Sequence, residues 1–124
     1  MTVLVDTSIW IDHFRRGDPR LVRLLDHGDV VMHPFVIGEL VLGHVPKIAE
    51  MMDDLNALPK AIVATTDEVL TFISNRKLPG SGIGYVDAHL LAATALTPET
   101  VFWTRDKRAL ATAEALSLAA RIPE

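Results

Sequence analysis

Three apolar residues, Val3-Leu4-Val5, run up to Asp6, and a helical pattern begins directly behind that carboxylate. This hand-over from a short apolar strand to an amphipathic helix recurs along the chain and restricts the fold more than any other feature. Residues 2–5 read as a buried strand, after which Thr7 or Ser8 caps a helix carrying Ile9, Trp10 and Phe14. Gly17-Asp18-Pro19 breaks that helix and starts another, with Leu21, Leu24 and Leu25 on its apolar side. A second strand is expected over 30–32. Pro34 opens a helix to about residue 43, and Pro46 opens one to about residue 58. Residues 61–64 read as a third strand, with Thr65 or Thr66 capping a helix over 68–77. A glycine-rich loop over 79–84 leads to a helix over 85–96, and a fourth strand covers 100–104. Asp106 starts the last helix, and 119–122 reads as a fifth, edge strand. Such alternation predicts an α/β fold on a mostly parallel sheet of four to five strands. A length of 124 residues suits one domain, 1–124.

Charge and composition narrow the function by exclusion. A net charge of -4 argues against a protein that grips nucleic acid by its overall field. It leaves a nuclease open, because acidic residues can themselves be the metal site and a bound cation reverses the local sign. With no cysteine, disulfides and thiolate metal sites are excluded, which suits a reducing cytoplasm. Neither a secretory leader nor a membrane span is expected: residues 90–96 are too few to cross a bilayer.

Four acids stand out by position. Asp6 and Asp106 each follow a strand and precede a helix, at the sheet edge where parallel α/β folds form ligand sites. Glu39 and Asp87 lie inside helices among apolar neighbours: Phe35, Val36 and Leu42 around the first, Ile83, Leu90 and Leu91 around the second. An ionised carboxylate on such a face is costly unless paired or metal-bound. Hard oxygen donors without thiolates suit Mg²⁺ or Mn²⁺ better than zinc. Taken singly, Asp106 is explained as an N-cap, and Asp6 equally as cap or ligand. Glu39 has an unseen arginine as its bland alternative. Asp87 has the least structural explanation.

The segments Val3-Leu4-Val5-Asp6-Thr7-Ser8, Gly38-Glu39-Leu40, Gly82-Ile83-Gly84-Tyr85-Val86-Asp87-Ala88-His89-Leu90-Leu91-Ala92-Ala93 and Trp103-Thr104-Arg105-Asp106 resemble the PIN-domain ribonucleases. Among these the VapC toxins of bacterial toxin–antitoxin pairs are the nearest likeness. The resemblance covers nearly the whole chain in order, and its third segment is the most specific. It implies an α/β/α sandwich that cuts structured RNA, transfer or ribosomal, with Mg²⁺ or Mn²⁺. Asp6, Glu39 and Asp87 then match the metal ligands, and Asp106 the acid behind the last strand, a place it shares with Thr104. Thr7, Ser8 and Thr104 match hydroxyls that steady a ligand, its water or a phosphate. The same likeness implies a homodimer, and an antitoxin that covers the acidic pocket.

Two basic groups, Arg15, Arg16, Arg20 and Arg23, then Arg105, Lys107 and Arg108, are candidate phosphate contacts, with a solvated face as the plain alternative for each. His89, two positions past Asp87, faces another side of its helix and reads as packed or surface histidine. Competing readings are a housekeeping RNA-processing nuclease of the same family and an inactive module that only binds a partner. A haloacid-dehalogenase-type phosphatase needs a second Asp where Ser8 stands. A receiver domain needs an adjacent acidic pair and a later lysine, and neither is evident.

Overall fold

The structure, a computed structural model, describes residues 1–123. In chain order the elements are β1 (Thr2–Val5), α1 (Thr7–Arg16), α2 (Pro19–Asp26), β2 (Val30–Val31), α3 (Pro34–Leu42) and α4 (Ile48–Ala57). They continue with α5 (Thr66–Asn75), α6 (Tyr85–Leu96), β3 (Thr100–Trp103) and α7 (Lys107–Ala115). The three strands are parallel in the order β2-β1-β3, with Val3 opposite Val30 and Val5 opposite Trp103.

This sheet is smaller than the four to five strands expected. The two outer segments join it by single parallel bridges, Met32 to Lys60 beside β2 and Phe102 to Ala119 beside β3. The reason is local. His33 caps α3 and Pro34 is its first residue, so the chain turns helical two residues past Met32; Ala61 still donates to the Met32 carbonyl at 2.9 Å, but 62–64 have nothing left to pair with. The Ile62 N–H instead finds the Thr97 hydroxyl, 2.9 Å away. Two boundaries also move. Asp6, not Thr7 or Ser8, caps α1, and α4 begins at Ile48 behind a left-handed Lys47 rather than at Pro46.

Parallel connections are right-handed, which fixes the layers. The path from β1 to β2 and on to the Lys60 bridge runs one way and puts α1 to α4 on one face. The return to β3 and the Ala119 bridge puts α5 to α7 on the other. The packing agrees: α1 meets α3, α3 meets α4, α5 meets α6, and α6 lies against β3. The result is an α/β/α sandwich. Leu4, Val5 and Phe102 of the sheet are fully buried between the layers. Ala88 to Thr94 of α6 are buried on every side, which small residues permit by letting the helix approach the sheet closely. Among the described residues no helix is long and apolar enough to cross a membrane.

Candidate active site

The chain leaves β1 towards one sheet edge and leaves β3 towards the other. Their carboxyl ends therefore flank the crevice where parallel sheets bind ligands. Asp6 directly follows β1 and Asp106 stands three residues past β3, one on each side of that crevice. Glu39 reaches it from α3 on one face and Asp87 from α6 on the other.

Asp6 is buried and hydrogen-bonded on both oxygens. Oδ1 accepts the Thr7 N–H at 2.8 Å, which caps α1. Oδ2 accepts the hydroxyls of Ser8 at 3.0 Å and Thr104 at 2.7 Å. Each hydroxyl is held in turn: Ser8 accepts the Arg105 N–H, and Thr104 accepts the Asp106 N–H, both at 3.1 Å. The Thr7 hydroxyl donates to Glu39 Oε1 at 2.7 Å and so ties α1 to α3. Thr7, Ser8 and Thr104 thus form one donor ring that aims two carboxylates. Asp106 is exposed, and its Oδ1 caps α7 by accepting the Ala109 N–H at 2.9 Å. Capping accounts for one of its oxygens.

Asp87 differs from the other three. Its carboxyl is pushed up from 3.8 to about 6, first by burial and then by the charges of Asp6, Asp106 and Glu39. A backbone hydrogen bond from Gly84 works the other way. Gly84 is the N-cap of α6 and offers no side-chain cap. The negative charge of Asp87 is uncompensated, because the three groups acting on it through their charge all raise its pKa.

The donor chemistry fits a hard divalent cation, since all four acids offer oxygen and their mutual repulsion is what such an ion relieves. Among the described residues no three His, Asp or Glu side chains stand grouped so that they could hold a metal ion as placed. The fit is one of charge and donor type at the crevice.

The candidate phosphate contacts divide. Arg20 pairs with Asp18 at 2.9 Å and lies over the Trp103 ring, 5.1 Å from its centroid. Arg23 donates to the Pro123 carbonyl at 3.2 Å. Arg16 and Arg105 both pair with Asp12. The first basic group is therefore not one free surface: Arg16 pairs within α1, Arg20 packs α2 against Trp103 of β3, and Arg23 ties α2 to the C-terminal segment. Arg15 and Lys107 are exposed, and Arg108 donates to the Gly82 carbonyl at 3.4 Å.

Two histidines without ligand spacing in the sequence, His33 and His89, come together in the fold. His33 is fully buried and caps α3, its Nδ1 accepting the Phe35 N–H at 3.0 Å. Burial, then the neighbouring His89, drives its pKa down to about 4. His89 is packed, with Phe35 and Tyr85 rings 4.7 and 4.6 Å away. Its pKa is lowered by burial as well. Both imidazoles are thus neutral at pH 7 and join α3 to α6 beside the acids. The His33-Pro34 pair at a helix start was the available signal, since Pro at the first helical position marks its predecessor as the cap.

Thr7→Val tests the hydroxyl ring. Losing the bond to Glu39 is expected to cost about 1 kcal/mol of stability, at the low end because the pair is only part-buried. Cleavage is expected to fall roughly tenfold as Glu39 loses its aim, with Thr7→Ser close to wild type. Single-turnover cleavage and thermal unfolding, measured together, check both effects.

Residues 3–115 match the PIN domain. The chain is also similar to the proteins named Ribonuclease VapC32 from two strains of Mycobacterium tuberculosis, CDC 1551 / Oshkosh and ATCC 25618 / H37Rv. Each is 47% identical over 106 residues, covering 86% of this chain and 86% of the relative.

Proposed function

This chain belongs to the PIN-domain family, and from that premise we propose that it is a toxin endoribonuclease of the VapC type, a single nuclease domain that hydrolyses a phosphodiester of structured RNA. The observation that carries the reading is Asp87. Three carboxylates from separate parts of the chain bear on it at the crevice between β1 and β3. A fold gains no stability from gathering like charge there, whereas a site that binds a divalent cation requires it.

Asp6 and Asp87 would hold Mg²⁺ or Mn²⁺, with Glu39 binding it or orienting the attacking water and Asp106 completing a weaker second position. When bound, the ion supplies positive charge that acidifies water and offsets the charge gathering on the phosphate oxygens. The chain's own residues do the rest. Ser8 and Thr104 fix Asp6 in one rotamer, and Thr7 fixes Glu39, so both carboxylates meet the phosphate already oriented. Water attacks phosphorus, the bond to the ribose oxygen breaks, and that oxygen leaves with a proton.

The same reading places the protein in the cytoplasm as a homodimer, held inactive by an antitoxin that covers the acidic crevice. RNA ends are to be sequenced after controlled expression of the wild type and of Asp87→Asn. The expected result is growth arrest with one discrete new end in transfer or ribosomal RNA, for the wild type alone. Identical ends in both strains overturn the proposal.

A further inference from the structure

On the sheet face that carries α5 and α7, a groove of ≈ 480 Å³ runs beside the acidic crevice. Its charged lining comes from two distant stretches, Arg76 and Lys77 at the end of α5 and Lys107 and Arg108 at the start of α7. No acid lines it. In a chain of net charge -4, four of the twelve Lys and Arg residues face one groove. Asp67 and Glu68 line the neighbouring groove, beyond Arg76.

Two of these cations are placed by special backbone arrangements. Lys77 sits in the left-handed region at φ 57, one residue past the α5 cap. There the Leu78 N–H returns to the Ile73 carbonyl and the Lys77 N–H to the Ser74 carbonyl, closing a Schellman turn. Glycine is the favoured residue at that position, so lysine is used against the backbone's preference. Arg108 crosses from α7 to the Gly82 carbonyl, in the loop that leads to Asp87. A Cβ on Gly82 would stand 3.1 Å from the Arg108 Cδ, so the glycine makes room for the crossing side chain. Arg108 therefore links the groove to the loop that leads to Asp87. Arg76 is steadied over the Phe72 ring, 5.3 Å from its centroid.

We propose that this groove binds the phosphate backbone of the RNA substrate on one side of the scissile bond, with Arg76 and Lys77 as the outer contacts and Lys107 and Arg108 as the inner ones. The inference rests on the reading of the chain as a ribonuclease and extends it by giving the RNA a direction of exit. Four cations without an acid suit a polyanion, and side chains from two elements suit a backbone that passes between them. The acidic crevice repels the same backbone, so cations immediately beside it hold the strand close until the metal site takes over.

The test is binding of a labelled RNA hairpin, with Mg²⁺ present, to full-length protein in an Asp87→Asn background that does not cleave. Between about 50 and 200 mM salt, Arg76→Gln with Lys77→Gly is expected to flatten the dependence of log affinity on log salt by roughly one to two units. At the lowest salt it is expected to weaken binding on the order of tenfold. Lys47→Gln with Arg121→Gln, a matched charge change outside the groove, is expected to keep the parent slope. Lys77→Gly alone should melt at or above the parent temperature, because it relieves the left-handed lysine, and should still bind RNA more weakly. That pairing separates a lost phosphate contact from a damaged fold. Parent slope and affinity in the groove variants overturn the proposal, and so do groove variants that lose only an acidic polyglutamate probe, which would assign the groove to a protein partner. If the cleavage-competent parent does not cut RNA at all, the functional reading fails instead, and the two failures are told apart.

Discussion

Asp87→Asn is expected to abolish RNA cleavage and, in the same protein, to raise the melting temperature of the metal-free chain. The loss of activity follows from removing a charged oxygen donor from a site built of such donors, and a fall of at least about a hundredfold is expected. The gain in stability follows from the electrostatics. The Asp87 carboxyl titrates at about 6 in the folded protein against 3.8 ordinarily, so the folded state holds the proton more tightly than the unfolded one. Between those two values the folded state binds more protons, and stability falls as pH rises. Below about pH 4 both states are protonated and no penalty exists. Above pH 6 the penalty is complete, on the order of 1–2 kcal/mol once solvent screening of a part-exposed group is allowed for. Asparagine carries no such penalty and keeps the size and shape of the side chain. The difference in melting temperature should therefore open between pH 4 and 6 and stay constant above. Added Mg²⁺ should stabilise the wild type more at pH 7.5 than at pH 5, and Asp87→Asn little at either. Thermal unfolding across pH, with and without the ion, reads all three. A variant that melts below the wild type at pH 7.5 would mean that Asp87 is a structural cap and not a strained ligand.

The fold was legible where hydrophobic pattern and punctuation agree. Val3 to Val5 before Asp6, Gly17-Asp18-Pro19 between two helices, and Pro34 at a helix start each correspond to a boundary in the structure. The outer strands were not legible in the same way. An apolar run such as Ala61 to Ala64 shows that a segment can pair, but whether a neighbour remains opposite it depends on where β2 turns into α3. The four acids were found from position and apolar surroundings, and the structure brings their charges to bear on one carboxyl. Hydrogen bonding was beyond sequence, because a hydroxyl reveals its partner only when distant elements meet. Thr104 and Asp6 are 98 residues apart along the chain yet 2.7 Å apart in the fold. The arginines show the converse. Arg20 and Arg23 looked like part of a surface cluster, while Asp18, Trp103 and Pro123 hold them. Arg76 and Lys77 drew no notice, although the fold sets them opposite Lys107 and Arg108.

Asp6→Ala is expected to abolish cleavage as completely as Asp87→Asn but to move stability the other way, by roughly 3 kcal/mol of loss. Part of that loss, about 1 kcal/mol, is the α1 cap, since Asp6 Oδ1 holds the Thr7 N–H. The larger part lies on the other oxygen. Removing it strands the buried Thr104 hydroxyl and the Ser8 hydroxyl, at about 1 kcal/mol or more each. At this chain length the loss corresponds to a drop in melting temperature of roughly 10 °C. Asp6→Asn is expected to fall between. Its carbonyl oxygen keeps the cap, but its amide group faces two hydroxyls that already accept the Arg105 and Asp106 N–H groups. Each hydroxyl oxygen has a second lone pair and can accept from the amide, but its own proton must then find a new acceptor. A cost of about 1 kcal/mol follows, with cleavage still lost because the charge is gone. Opposite signs at Asp6 and Asp87, measured in one thermal-unfolding series, would distinguish a carboxylate that the fold uses as a hub from one that it holds at a cost for a cation. If Asp6→Ala melts with the wild type, the hydroxyls have other partners and the hub does not exist.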